Sequence, residues 1–184
     1  LAFTNQLGIT GSWDAGTGVL TLSGTTSKAN YQTALRSVSY VNSSDDPNPA
    51  TRTIAFVVND GAADSLAATR NVSVSAENDA PVLTAASLTV SEGQTVTLSG
   101  ANFSVTDPDN ASFTYAISSL SGGYFQLTSA AGTPISSFTS AQLSGGLVQF
   151  VDDGNEVAPD FSVTVNDGTN DSNTLAAAIT YTAL

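Results

Sequence analysis

Short stretches in which apolar and polar residues alternate recur along the whole chain, separated by clusters of Gly, Ser, Thr, Asn and Asp. The runs are Val19–Gly24 (VLTLSG), Ser37–Val41 (SVSYV), Thr53–Val58 (TIAFVV) and Asn71–Ser75 (NVSVS) in the first half. In the second half they are Thr95–Ser99 (TVTLS), Phe113–Ser118 (FTYAIS), Leu147–Val151 (LVQFV), Phe161–Val165 (FSVTV) and Ala177–Thr182 (AAITYT). A period of two places successive side chains on opposite faces of a strand, and turn residues every eight to twelve positions indicate sandwiched antiparallel sheets. The pattern predicts an all-β chain. One segment departs from it: in SKANYQTALRSV, Tyr31, Ala34, Leu35 and Val38 follow helical spacing, with Ser27 placed to cap about two turns.

The two halves repeat one another. Val58–Ser65 (VNDGAADS) returns 107 residues later as Val165–Ser172 (VNDGTNDS), and YQTALRSVSYV has its counterpart in FTSAQLSGGLVQFV. A period of this length is that of one sandwich module. The repeat therefore predicts two tandem modules: a partial one over residues 1–76 lacking its first strands, a linker over 77–81, and a complete one over 82–184. The linker, within VSAENDAPV, offers oxygens from Glu77, Asn78 and Asp79 and a fixed backbone at Pro81. A flexible joint would be built from Gly and Ser. Strands missing from the first module are expected to leave an unpaired edge, which invites a homo-oligomer.

Charge sharpens the picture. The net charge is −12, and Lys28, Arg36, Arg52 and Arg70 are the only basic residues; eleven acids follow from Glu77 to Asp171 with no cation among them. Nucleic acid and anionic membranes are poor partners for such a field, and no apolar run is long enough to span a bilayer. The absence of His and Cys excludes thiol catalysis, a Ser-His-Asp triad and ordinary zinc sites. An enzyme would have to work with carboxylates alone, and Glu77, Glu92 and Glu156 all fall in turns or the linker, so no enzymatic activity is expected. Asp46–Pro47 and Asp107–Pro108 are acid-labile bonds that read more simply as turns.

A divalent cation suits the charge better. Calcium takes six to eight hard oxygens from Asp, Glu, Asn and carbonyls. Asp107 and Asp109, two apart around Pro108, are able to face one side of a turn, although DPDN is also an ordinary β-turn sequence.

The order NDAPV, VSEGQTV, VTDPDN, FTYAIS, VDDGNE, VTVNDG resembles a cadherin-type repeat. It is closer to the cadherin-like repeats of chondroitin sulfate proteoglycans and of giant bacterial surface adhesins, and GVLTLSGTTSKANYQTALRSVSYVN with RTIAFVVNDG resembles the bacterial kind most. The resemblance implies two Greek-key β-sandwich modules of cadherin or immunoglobulin type, with calcium held where modules meet. It maps a junction site onto Asn78, Asp79, Asp107, Asp109 and Asp167, with Asp45 and Asp46 from the first module. A distal set, where a further module would dock, falls on Glu92, Asp152, Asp153 and Glu156. No literal Asp-Arg-Glu motif is present, so the match is one of order and spacing. The implied protein is a calcium-binding spacer or adhesion module pair on an extracellular bacterial surface, partnered by neighbouring repeats, another surface protein or carbohydrate. The alternative is a carbohydrate-binding module using Trp13, beside a Gly-rich turn, and Tyr124, after Gly122 and Gly123.

Overall fold

Phe161, Val163 and Val165 alternate with Ser162 and Thr164, and that alternation organises the larger part of the molecule. In the computed structural model, which describes residues 1–184, these three side chains are almost fully buried while their neighbours lean outward. Contacts divide the chain into two compact units, Leu1–Pro47 and Asn48–Leu184.

The first unit is small. An antiparallel hairpin joins β1 (Thr10–Asp14) to β2 (Val19–Ser23), and α1 (Lys28–Arg36) follows. The hairpin turn is held by Asp14, which accepts from Gly16 N at 2.9 Å and from the Thr17 hydroxyl at 2.8 Å. The Thr17 bond, then the backbone donors, hold its carboxyl below the usual carboxylate range. The Ser27 hydroxyl caps α1 by accepting from Asn30 N at 3.2 Å, so the helix begins a turn earlier than the apolar spacing starts. Ile9 and Ala34 are its buried apolar residues.

Ser37–Val41, expected as a strand, is not one: only Ser39 bridges, to Ala2. A strand exists by virtue of its neighbours. The counterpart in the second half lies between two partners, whereas Val41 is exposed and faces no ladder.

The second unit begins with the hairpin of β3 (Arg52–Phe56) and β4 (Ala68–Val72), which forms a two-stranded sheet. Next come β5 (Val82–Ser91), β6 (Thr95–Thr97), a 3-10 turn at Gly100–Asn102, and β7 (Phe103–Thr106). They are followed by β8 (Thr114–Ser121), β9 (Gly123–Leu127), β10 (Ser137–Thr139) and the single-turn helix α2 (Ser140–Ser144). The chain ends with β11 (Val148–Asp152), β12 (Asp160–Asn166), β13 (Leu175–Ala176) and β14 (Ala178–Thr182). Strand orders are β10-β8-β12-β13, β6-β11-β9 and β14-β5-β7. All pairs are antiparallel except β14 on β5, which is parallel.

One core joins these sheets: Leu83, Leu88 and Val90 from β5, Phe103, Tyr115, Phe125, Phe138, Val148, Phe150 and the β12 triplet. Phe125 is its centre, edge-on to Phe161 at 5.0 Å and to Phe150 at 5.3 Å, geometries that aromatic quadrupoles favour. The all-β sandwich follows from the period-two pattern. β5 was not legible as a strand, because a register shift between Leu83 and Ala85 breaks its alternation and Ala and Ser fill its middle; β7, four residues long, was also missed although FSVT alternates.

Candidate metal centre

Pro81 is buried and fixes the backbone just before β5, so the linker residues ahead of it are delivered to one end of the sandwich. Two turns meet them there. The first follows β7: Asp107 Oδ1 accepts from Asp109 N and Asn110 N, each at 2.8 Å, which folds DPDN tightly around Pro108. The second follows β12: Asp167 Oδ1 accepts from Thr169 N at 2.6 Å and Asn170 N at 2.7 Å, with Gly168 at a φ of 105° closing the loop.

The linker docks on both turns. Asp79 N donates to Asp109 Oδ2 at 2.6 Å, and Asn78 Nδ2 donates to Asp167 Oδ2 at 2.8 Å. Asn110, which the site reading had not included, donates from Nδ2 to Asn78 Oδ1 at 2.9 Å. The structure thus brings together Asn78, Asp79, Asp107, Asp109 and Asp167. Asp167 is held below the usual carboxylate range by the backbone N–H of Asn170, then by the Asn78 side chain.

Two oxygens in this constellation have no donor: Asp107 Oδ2 and Asp109 Oδ1, both buried from solvent. A buried carboxylate oxygen without a hydrogen bond is costly unless something positive reaches it. No Lys or Arg follows Arg70 in the sequence to do so. No group of three or more acidic side chains converges as a ready-made metal cluster, so the constellation mixes carboxylates with amide and backbone groups.

Of the distal set, Asp152 is the buried member. Its side chain is 5% exposed, and its Oδ1 accepts from Gly93 N at 2.8 Å and Gly154 N at 3.0 Å. Its Oδ2 is buried and unpartnered. Tyr181 donates to the Asn155 carbonyl at 2.6 Å, pinning the loop after β11. Burial raises the Tyr181 pKa, and the charges of Asp152, Glu92, Asp153 and Glu156 add to the rise, which puts the four acids in one field. Glu92 accepts from Leu184 N at 2.9 Å, while Asp153 is closed on Asn155 and Glu156 is exposed. Asp45 and Asp46 sit on an exposed bend of the unit Leu1–Pro47.

Trp13 is 46% exposed on β1, and Tyr124 is half-buried inside the β9–β11 ladder; the two belong to different units. No helix is long and apolar enough to cross a membrane.

A residue that carried no signal in the sequence completes the linker end. Asn173 pairs with Leu83 in both directions, accepting from Leu83 N and donating to Leu83 O, each at 3.0 Å. Its amide imitates a strand backbone and clamps the start of β5. Only the three-dimensional structure sets these residues, ninety apart in sequence, side by side.

Comparison with known proteins agrees with this architecture. A family model described as cadherin-like matches residues 81–181. No curated protein and no solved structure matches the chain.

Proposed function

The chain belongs to the cadherin-like family, and from that premise we propose that calcium binds where the linker meets the two turns and stiffens the entry into β5. Cadherin-like domains are non-enzymatic extracellular or surface modules, and the proposal places this one in a calcium-dependent spacer of a large bacterial surface protein. Its partners there would be neighbouring repeats of the same kind.

The observation that carries the reading is the pair of buried, donorless oxygens, Asp107 Oδ2 and Asp109 Oδ1, beside the linker. The donor set suits calcium, a hard cation that takes carboxylate, amide and carbonyl oxygens in flexible geometry. Asp107 and Asp109 would supply charge, with oxygens of Asn78 and Asp79 completing the set. Asp167 has a different part. Its oxygens already accept three hydrogen bonds, so it holds Asn78 in place rather than offering a free lone pair. Bound calcium would neutralise the two aspartates and tie the segment before Pro81 to the turns. The Asp152 cluster, with one donorless buried oxygen, is the weaker second site; there Glu92 and Glu156 would add oxygens, whereas both oxygens of Asp153 already accept from Asn155.

A calcium titration followed by calorimetry tests this. Extracellular modules bind calcium at about 0.1–1 mM. At 10 mM calcium the folded state then gains roughly 1.4–2.7 kcal/mol. For a chain of this size that raises the melting temperature by about 3–10 °C. Asp109→Ala should remove most of the response, and Asp14→Ala, which lies in the first unit's hairpin turn, should leave it intact. A wild type that shows no shift up to 10 mM would reduce the carboxylates to a solvated surface.

A further inference from the structure

The chain that enters the sandwich is held by very few groups. Residues 73–81, between β4 and β5, belong to no strand. The hydrogen bonds of this segment come from Asn78 and Asp79. Asn78 engages every polar atom of its side chain. Its Nδ2 donates to Asp79 O and to Asp167 Oδ2, each at 2.8 Å, and its Oδ1 accepts from Asn110 Nδ2 at 2.9 Å. Asp79 N donates to Asp109 Oδ2 at 2.6 Å. Just beyond, Pro81 is buried and Asn173 clamps Leu83.

Donor supply decides what position 78 does. An asparagine carries two N–H donors, whereas an ionised aspartate of nearly the same shape carries none. The groups that face Nδ2, Asp167 Oδ2 and Asp79 O, are both acceptors. A carboxylate at position 78 would add a third set of lone pairs there and would need a cation between them; the amide needs none. The Asp167 carboxyl is held below the usual carboxylate range by the Asn170 backbone N–H, then by the Asn78 side chain. Asn78 therefore donates to a charged acceptor, the stronger kind of hydrogen bond. These contacts leave the donorless oxygens untouched: they end on Asp109 Oδ2 and Asp167 Oδ2, whereas Asp107 Oδ2 and Asp109 Oδ1 stay unpaired.

We propose that Asn78 is a strap: its amide takes the place of a cation and holds the linker seated on the two turns with or without an ion in the metal centre. The direction in which the chain enters β5 is then set by protein groups alone. An ion adds stability to a linker that is already in place and does not recruit it. An aspartate at position 78 would turn this standing seat into one that closes only around a cation. The proposal stands apart from the calcium reading, because every bond in the strap joins protein to protein.

The test uses the full chain in chelator, at about 0.15 M salt to screen the acidic charges. Nuclear magnetic resonance reads the exchange of the Asp79 backbone amide, with the amides of Val163 and Val165 as evidence of folding. In the wild type the Asp79 amide should exchange at least about fivefold more slowly than in Asn78→Ala. Asn78→Asp should lose the protection at least as fully, because its carboxylate then faces Asp167. Combining Asn78→Asp with Asp167→Asn returns a donor to the pair from the opposite side and should recover most of the protection. A wild-type Asp79 amide that exchanges in chelator at the rate of an open chain would overturn the proposal. So would an Asn78→Asp variant as well protected as the wild type, or a double variant no better protected than Asn78→Asp alone.

Discussion

Asp109 and Asp167 carry the same charge at the same end of the sandwich, yet their oxygens are engaged differently. Asp167 is satisfied by three donors and its pKa is lowered by them; Asp109 keeps one buried oxygen without any. Under the calcium proposal, that difference gives Asp167 a positioning part and Asp109 a ligand part. It also sets a pH dependence. Asp14, Asp60 and Asp167 are all held below the usual carboxylate range because N–H and O–H groups bind the charged form. A depressed carboxylate stabilises the fold at pH values above its unfolded pKa, and that contribution disappears as pH falls through the folded pKa. Stability without calcium should therefore be flat from pH 7 to 5 and decline below about pH 4. Asp167→Asn, which keeps an oxygen for the two loop N–H groups, should shallow that decline. Urea unfolding at a series of pH values measures both. Asn78, Asp79, Asp107 and Asp109 were legible in sequence because DPD and ENDAP are dense in oxygen. Asn110 and Asn173 were not, since an asparagine's partners depend on what the fold brings near it.

At the scale of elements, a strand announces itself only when one face is buried and the other is not. β11 and β12 do so, with regular alternation through Val148, Phe150, Phe161, Val163 and Val165. β5 does not, although it is the longest strand and joins β14 to β7. The repeat permits a comparison of like with like. β12 lies between β8 and β13, whereas its counterpart β3 has β4 alone. Two-stranded ribbons are marginal in water. Amides of Ile54–Phe56 should therefore exchange faster than those of Val163–Val165, and mass-resolved exchange would show it. Equal protection would mean that β3 has a second partner in solution. Phe125→Ala tests the other extreme. Its ring is fully buried against Phe138, Phe150 and Phe161, and its loss should cost about 3–5 kcal/mol in chemical denaturation, because so packed a site cannot collapse around the cavity.

For the whole molecule the governing quantity is a net charge of −12 with four basic residues, all before the linker. Composition made that legible at once, but not its consequence, because like charges are harmless on a solvated surface and costly where they converge. Folding brings Asp109 and Asp167 into hydrogen bonds with the linker and Asp107 into the same turn as Asp109, while the charges of Asp152, Glu92, Asp153 and Glu156 all act on Tyr181. Two remedies are available and they separate experimentally. Monovalent salt screens all exposed charges, with a Debye length falling from about 10 Å at 0.1 M to about 3 Å at 1 M. Calcium acts only where oxygens converge on it. In chelator, melting temperature should rise between 0.05 and 1 M sodium chloride, to a similar degree in the wild type and in Asp109→Ala (about the same charge is screened in each). At 1 M salt, adding 10 mM calcium should still raise the wild type by a few degrees and leave Asp109→Ala nearly unmoved. If high salt erased the calcium response of the wild type, the cation would be acting as a diffuse counterion. If calcium stabilised Asp109→Ala equally, binding would lie elsewhere, and the same titration on Asp152→Asn would show whether the distal cluster holds it.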